Sequence, residues 1–148
     1  PGCYHVSWRV PFEPGEIKVV SRKDGKEVLS QTIRTAGEPA QIRLTPDRST
    51  LHADGRDLSF VTVEILDKDG NLCPLAENEV FFKVDGNAFI AGVDNGSPIS
   101  MERFKANHRK AFYGKCLVVL QNNGKAGNAS LTATADGLTE ARVTLTAQ

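Results

Sequence analysis

Acidic side chains are the first candidates for chemistry in this sequence, because two carboxylates that share a cleft can act as general acid and base. Asp24, Asp69 and Asp136 each precede a glycine in a predicted turn, and Glu64 lies on the polar side of an alternating segment. Such positions scatter the carboxylates over turns and solvent faces. The sequence therefore predicts no catalytic residue.

The segment DKDGN at 67–71 has the alternating acids of a calcium-binding loop. A loop of the EF-hand type needs a bidentate Glu at its twelfth position, and Asn78 stands there. The flanking segments are also predicted strands, so we interpret 67–71 as a hairpin turn. His5, His52 and His108 lack metal-site spacing. The sequence predicts no metal site and no cofactor.

Three cysteines, Cys3, Cys73 and Cys116, are far apart, and no C-x-x-C pair occurs among them. Zinc and thiol-redox motifs are therefore absent from the sequence. Cys116 begins the apolar run CLVVL, which predicts a small buried side chain in a strand. One disulfide is compatible with three cysteines, and the sequence does not decide its pairing.

The connection 94–114 shows no clear period, and connections of this length are often functional or packed on themselves. We predict either a loop anchored by its own aromatic residues or a contact surface for a neighbouring domain or a sugar. The Asp and Asn that open it can instead lock a turn. The candidate contact residues are Asp94, Asn95, Phe104, Arg109 and Tyr113.

Trp8, the only tryptophan, alternates with polar residues together with Val6 and Val10. This pattern predicts a strand with Trp8 in a hydrophobic core. An exposed tryptophan could instead stack on the apolar face of a sugar ring.

Apolar and polar residues alternate with a period of two along most of the chain, which is typical of half-buried strands. Turn sequences such as Asp24-Gly25 and Asp69-Gly70 separate the runs. No amphipathic helix of useful length is present, so the fold class is all-β, a sandwich or barrel. The predicted strands are 4–10, 16–22, 26–34, 40–45, 50–53, 58–67, 79–85, 88–93, 115–122, 128–135 and 139–147.

The composition excludes several classes of function. The 18 basic and 18 acidic residues give a formal net charge of zero, so no long-range field favours nucleic acid or an anionic membrane. No apolar stretch approaches the roughly 20 residues that a membrane span needs. The start lacks a signal peptide and an initiator Met, and we interpret the chain as a cut fragment or a processed product.

A domain boundary is predicted at 35–39, where the sequence is TAGEP. Residues 38–148 suffice for one immunoglobulin-like β-sandwich. Residues 1–37 supply three predicted strands, the C-terminal remnant of a truncated β-sandwich domain, which cannot close a core alone. Unpaired strand edges predict that this segment packs on the main domain or on another chain, including a second copy of itself.

Several spaced blocks of sequence span essentially the whole chain, at 8–18, 23–26, 35–37, 42–48, 54–61, 67–71, 91–96 and 112–117. In this order they resemble the C-terminal region of glycoside hydrolase family 2 β-galactosidases of the kind common in gut Bacteroidetes.

The resemblance implies accessory β-sandwich domains that trail a catalytic TIM barrel whose two glutamates do the chemistry. No catalytic residue transfers to this chain. The implied function is structural support of the multidomain enzyme, with its other domains as partners. It also implies a secreted or periplasmic parent. Two alternatives stay open: a carbohydrate-binding module and a bacterial adhesin-type immunoglobulin-like domain. The chain does not name the glycoside that the parent cleaves.

Overall fold

The computed structural model describes residues 5–148, which form strands and turns without a helix. The all-β prediction is confirmed. The strands are β1 Glu16–Lys23, β2 Lys26–Arg34, β3 Gln41–Pro46, β4 Thr50–Leu51, β5 Leu58–Leu66, β6 Glu79–Gly86, β7 Ala88–Asp94, β8 His108–Lys110, β9 Lys115–Asn122, β10 Gly127–Thr134 and β11 Ala141–Ala147.

Two compact units make up the chain, Pro1–Thr35 and Ala36–Gln148. In the first unit, β1 and β2 form an antiparallel hairpin. The turn between them has positive φ at both central residues, 50° at Asp24 and 77° at Gly25. This geometry matches the right-handed twist of the two strands. The hairpin turn predicted from the Asp-Gly pair is therefore present.

The predicted strand at 4–10 is wrong over the described residues 5–10, which have no regular secondary structure. Trp8 is 68% exposed, with Val6 and Val10 also exposed, so the prediction of a core tryptophan is also wrong for this chain. Alternation yields a strand only where a neighbouring strand supplies hydrogen-bond partners, and none of the described strands pairs with this segment. The first unit thus contributes two strands, not three, within the part that the structure describes.

The second unit is a sandwich of two sheets. One sheet has the order β3-β5-β9-β7 and the other β4-β11-β10-β6-β8. Apart from the short edge strands β4 and β8, this is the constant-type immunoglobulin arrangement of four strands over three. The short strand β4 runs parallel to β11, while all the other pairs are antiparallel. The predicted strand 50–53 is therefore real, although it is only two residues long.

Alternating residues of both sheets face each other and form the hydrophobic core. The centre of the core is fully buried and aliphatic, with Val61, Val63, Ile65, Val80, Val118, Leu120 and Leu131 at 0% exposure. Cys73 and Cys116 are buried free thiols within the same core. Burial raises the pKa of Cys116 to about 12, so this thiol stays protonated at neutral pH. Cys3 lies outside the described residues.

Candidate functional site

The long connection 94–114 lies at one end of the sandwich and contains a strand that the sequence pattern did not reveal. Its residues His108–Lys110 form β8, which pairs with the start of β6. Three residues are too few for a period of two to be recognised. The pairing fixes the middle of the connection to the sandwich and leaves two loops, 95–107 and 111–114.

Arg109, at the centre of β8, is 1% exposed and anchors the first of these loops. Its Nη2 donates to Asp94 Oδ1 at 3.1 Å, and its Nη1 donates to the Glu102 carbonyl oxygen at 3.1 Å. The ring of Phe104 covers the guanidinium at 5.3 Å. Arg109 Nε has no hydrogen-bond partner, and Glu102 Oε2 is 3.8 Å away from it. Because Arg109 is buried, a binding partner cannot contact its side chain directly. Arg109 can affect such a partner only by fixing the position of the loop 95–107.

The two carboxylates around Arg109 are also tied to the backbone. Asp94 Oδ1 accepts from the amide of Asn95 at 2.7 Å, and Glu102 Oε1 accepts from the amide of Lys110 at 3.0 Å. Burial alone would raise the pKa of each carboxyl, but these backbone hydrogen bonds and the Arg109 charge outweigh it, so both pKa values are lowered. Both side chains are thus ionised and structural at neutral pH.

Asn95 locks the start of the loop. Its Nδ2 donates to the Lys110 carbonyl oxygen at 3.0 Å, and its Oδ1 accepts from the Ser97 amide at 3.0 Å. The structure therefore brings four of the five candidate contact residues, Asp94, Asn95, Phe104 and Arg109, into one network that ties the loop to β8.

Tyr113, the fifth candidate, occupies the tip of a second tight turn. The backbone of Phe112 and Lys115 exchanges two hydrogen bonds of 2.8 and 3.1 Å, and φ is positive at both Tyr113 (50°) and Gly114 (74°). The Gly114 amide donates to the Ala76 carbonyl oxygen at 3.1 Å, which joins this turn to the loop 73–78. Positive φ is uncommon for a residue with a side chain, and the surrounding bonds hold Tyr113 in it.

The turn at 67–71 is held by the buried carboxylate of Asp67. Four donors converge on it: the amides of Gly37, Asp69 and Asn71 at 2.8 to 2.9 Å, and Asn71 Nδ2 at 3.0 Å. The hydrogen bond from Gly37 is the largest influence on the Asp67 pKa, which falls to about 2. Because protein donors already surround this carboxylate, the interpretation of 67–71 as a turn rather than a calcium loop is supported.

Acid should destabilise the chain partly through Asp67. A carboxyl whose pKa is 3.8 ordinarily and about 2 when folded stabilises the fold above pH 4 and loses that contribution as the pH falls towards 2. In Asp67→Asn we expect lower stability at pH 7 and a smaller further loss between pH 4 and pH 2, measured as urea midpoints. The exposed Asp136→Asn should keep the wild-type loss, and an unchanged acid dependence in Asp67→Asn would contradict the assignment.

Besides Phe104, which covers Arg109 and is 64% exposed, four apolar side chains project from these loops. We call Leu75, Ile99, Met101 and Tyr113 the apical surface, and their side chains are 89%, 84%, 96% and 64% exposed. Hydrogen bonds between their neighbours join the loops, from Gly114 to Ala76 and from Lys110 to Glu102. Only Tyr113 of these four is among the candidate contact residues predicted from the sequence. The hydrophobic residues of these loops follow no regular period. The sequence therefore did not indicate which of their side chains would point outwards.

An open cleft of about 410 Å³ lies beside the edge strand β7. Its lining combines Phe89, the small residues Ala91 and Ala106, and three polar side chains, Lys105, Asn107 and Gln121. In the described residues 5–148, no group of three or more His, Cys, Asp or Glu side chains could hold a metal ion. Within the same residues no helix is long and apolar enough to cross a membrane.

The comparison with protein families identifies the sandwich. The family model for glycoside hydrolase family 2 C-terminal domain 5 matches residues 42–144. The chain belongs to this family. A second model, a domain of unknown function (DUF4982), matches residues 2–29. The resemblance to the C-terminal region of family 2 enzymes is thus confirmed, and with it an accessory β domain rather than the catalytic part of such an enzyme.

Relatives of family 2 share the sequence and the fold. The chain is 65% identical to the beta-galactosidase BoGH2A of Bacteroides ovatus over 97% of its own length and 17% of that protein. It is 37% identical to a beta-glucuronidase of Formosa agariphila over 62% of its length and 10% of that protein. A crystal structure of a beta-glycosidase from Bacteroides vulgatus matches with a TM-score of 0.89 and 33% identity, over 94% of this chain and 18% of that one. The chain therefore spans less than one fifth of each relative.

Proposed function

We propose that the chain is a structural accessory module of a family 2 glycosidase, and that its apical surface packs against another domain of the same polypeptide. The proposal is based on the exposure of Leu75, Ile99, Met101 and Tyr113 on loops that Arg109 and backbone hydrogen bonds tie to the sandwich. Exposed apolar side chains on fixed loops are typical of an interaction surface. Such a surface loses little conformational entropy when its partner covers it.

The parent enzyme is proposed to be a β-galactosidase, because the relative at 65% identity bears that name. A relative at 37% identity is named a beta-glucuronidase, so similarity to this module does not by itself distinguish a galactosidase from a glucuronidase. We place the parent in the periplasm or outside the cell, where polysaccharide is degraded. This placement rests on the family resemblance.

Residues 1–37 are proposed to be the closing strands of a preceding β domain, and residues 38–148 the following immunoglobulin-like domain. The support is the hairpin β1–β2, whose register places Ile17 opposite Ile33, with Val19 and Leu29 further along the same face. All four are exposed. Without the rest of that domain the face should self-associate, which sedimentation velocity over a range of chain concentrations would detect.

Charges on the apical surface test the packing proposal. In the double variant Leu75→Glu/Met101→Glu, both replaced side chains are almost fully exposed, so the chain alone should melt within about 2 °C of the wild type. In the full-length enzyme the same charges should be buried against the neighbouring domain. There we expect the melting temperature of this module to fall by at least about 5 °C.

The matched control is Thr144→Glu, an exposed position on the polar outer face of β11, which should change neither the chain alone nor the full-length enzyme. Full-length enzyme that tolerates both the double variant and the control equally would contradict the proposed packing. A double variant that melts early even as the isolated chain would show that these residues serve the fold of the module itself.

The cleft beside Phe89 favours a second candidate function, carbohydrate binding. An exposed aromatic ring next to polar side chains in a concave site is the arrangement that a sugar requires, because a pyranose ring has an apolar face and a rim of hydroxyl groups. Among residues 5–148, we find no comparable feature that favours the third alternative, an adhesin-type domain.

A further inference from the structure

We infer that the cleft between β7 and the segment 105–107 binds a pyranoside, with one apolar face of the sugar on the ring of Phe89 and its hydroxyl groups on Lys105, Asn107 and Gln121. The inference deepens the second candidate function and is independent of the packing proposed for the apical surface.

An irregularity in β7 creates the cleft. The register of β7 against β9 shifts between Ile90 and Gly92, so the strand bulges at Ala91. The bulge turns the edge strand, and the small side chain of Ala91 leaves space beside Phe89. Phe89 stands opposite Gln121 in the register, which brings the aromatic ring and the amide to the same outer face of the sheet.

The second wall of the cleft is fixed at both ends by backbone hydrogen bonds. The Phe104 carbonyl oxygen accepts from the Val93 amide in one sheet at 2.7 Å, and the Asn107 carbonyl oxygen accepts from the Phe82 amide in the other sheet at 2.7 Å. Lys105 and Asn107 therefore stand on a short bridge between the two sheets. Such a preformed wall costs little conformational entropy when a ligand binds.

The lining chemistry suits a polyol. Gln121 Nε2 donates to the Gly55 carbonyl oxygen at 2.7 Å, which fixes the orientation of its amide. Asn107 can both donate and accept, and Lys105 donates. Phe89 is 47% exposed, so part of its ring is open to a ligand. The volume of about 410 Å³ falls in the range of roughly 300–1,000 Å³ that is usual for small-molecule sites.

Charge distinguishes between classes of sugar. Lys105 is the only ionisable residue of the lining, and its side chain is an ammonium cation. A pyranoside that carries a carboxylate should therefore bind more tightly than a neutral one, and added salt should reduce that difference.

The test is a titration of the isotope-labelled chain, followed by NMR, with methyl β-galactopyranoside and methyl β-glucuronopyranoside. We expect saturable shifts at 89–91, 105–107 and Gln121, with the glucuronide tighter at low salt. Phe89→Ala should weaken binding at least about tenfold, since the stacking surface is lost. The matched control is Phe81→Ala, which removes a phenylalanine of nearly equal exposure, 46%, from the outer face of the other sheet, and it should bind within twofold of the wild type.

Spectra of both variants without sugar establish that the fold is intact before the titrations are compared. Sugar binding that is equal in Phe89→Ala and wild type would overturn this site while leaving carbohydrate binding as a function of the chain. No saturable response to either glycoside would overturn both the site and the second candidate function. Neither result bears on the packing of the apical surface.

Discussion

Replacing Gly114 by alanine is expected to destabilise the sandwich by more than about 4 kcal/mol, a large fraction of the stability of a small domain. Gly114 has a φ of 74°, and a Cβ there would overlap the carbonyl oxygen of Cys73. The neighbouring backbone cannot easily move away, because the Gly114 carbonyl oxygen accepts from the Ile65 amide at 2.8 Å. Urea denaturation, monitored by far-UV circular dichroism, would measure the loss of stability.

Gly137→Ala is the matched control for Gly114→Ala. Gly137 has nearly the same φ, 71°, but a Cβ there would have no neighbouring atom within 4 Å. We therefore expect only the cost of the left-handed backbone, about 1–2 kcal/mol. Equal losses of stability in the two variants would contradict the idea that Gly114 is needed for close packing of the Tyr113 turn against the loop 73–78.

Arg109→Ala is expected to cost about 3 kcal/mol, because it removes a buried cation from two carboxylates and leaves a cavity beneath Phe104. Hydrogen exchange should become faster along the loop 95–107, since Arg109 joins Asp94 to Glu102 across it. Arg109→Met retains most of the volume and should cost less. Urea midpoints and exchange rates together separate the packing contribution from the polar one.

An exposed arginine provides the comparison for Arg109. Arg43 donates to Glu64 from Nε and Nη2 at 2.9 and 2.8 Å, and its side chain is about half exposed. Arg43→Ala should therefore cost at most about 1 kcal/mol. Equal costs for Arg109→Ala and Arg43→Ala, or unchanged exchange in the loop, would show that burial does not distinguish the two ion pairs.

The strands of the second unit were predictable because most of them are long enough to show a period of two, as Val61, Val63 and Ile65 do in β5. The failures have specific physical causes. Residues 5–10 alternate as a strand would, but no described strand supplies their hydrogen bonds. The three residues of β8 are too few to show a period, although they fix the position of Arg109.

The candidate contact residues were only partly interpretable from the sequence. The types of Asp94 and Asn95 indicated a turn lock, and the hydrogen bonds of Asn95 agree with that interpretation. The burial of Arg109 could not be predicted, since arginine is rarely buried without partners that only the folded loop brings together. The exposure of Leu75 and Met101 could not be predicted either, because hydrophobic residue types alone suggest burial.

In the full-length family 2 enzyme, we expect another domain to cover the apical surface of this accessory module. The most direct test compares hydrogen exchange of the chain alone with that of the same chain within the full-length enzyme. We expect slower exchange in the full-length enzyme at 75–78, 96–104 and 111–114, with unchanged exchange along the outer face of β10 and β11. Identical exchange of the three loops in both proteins would contradict it.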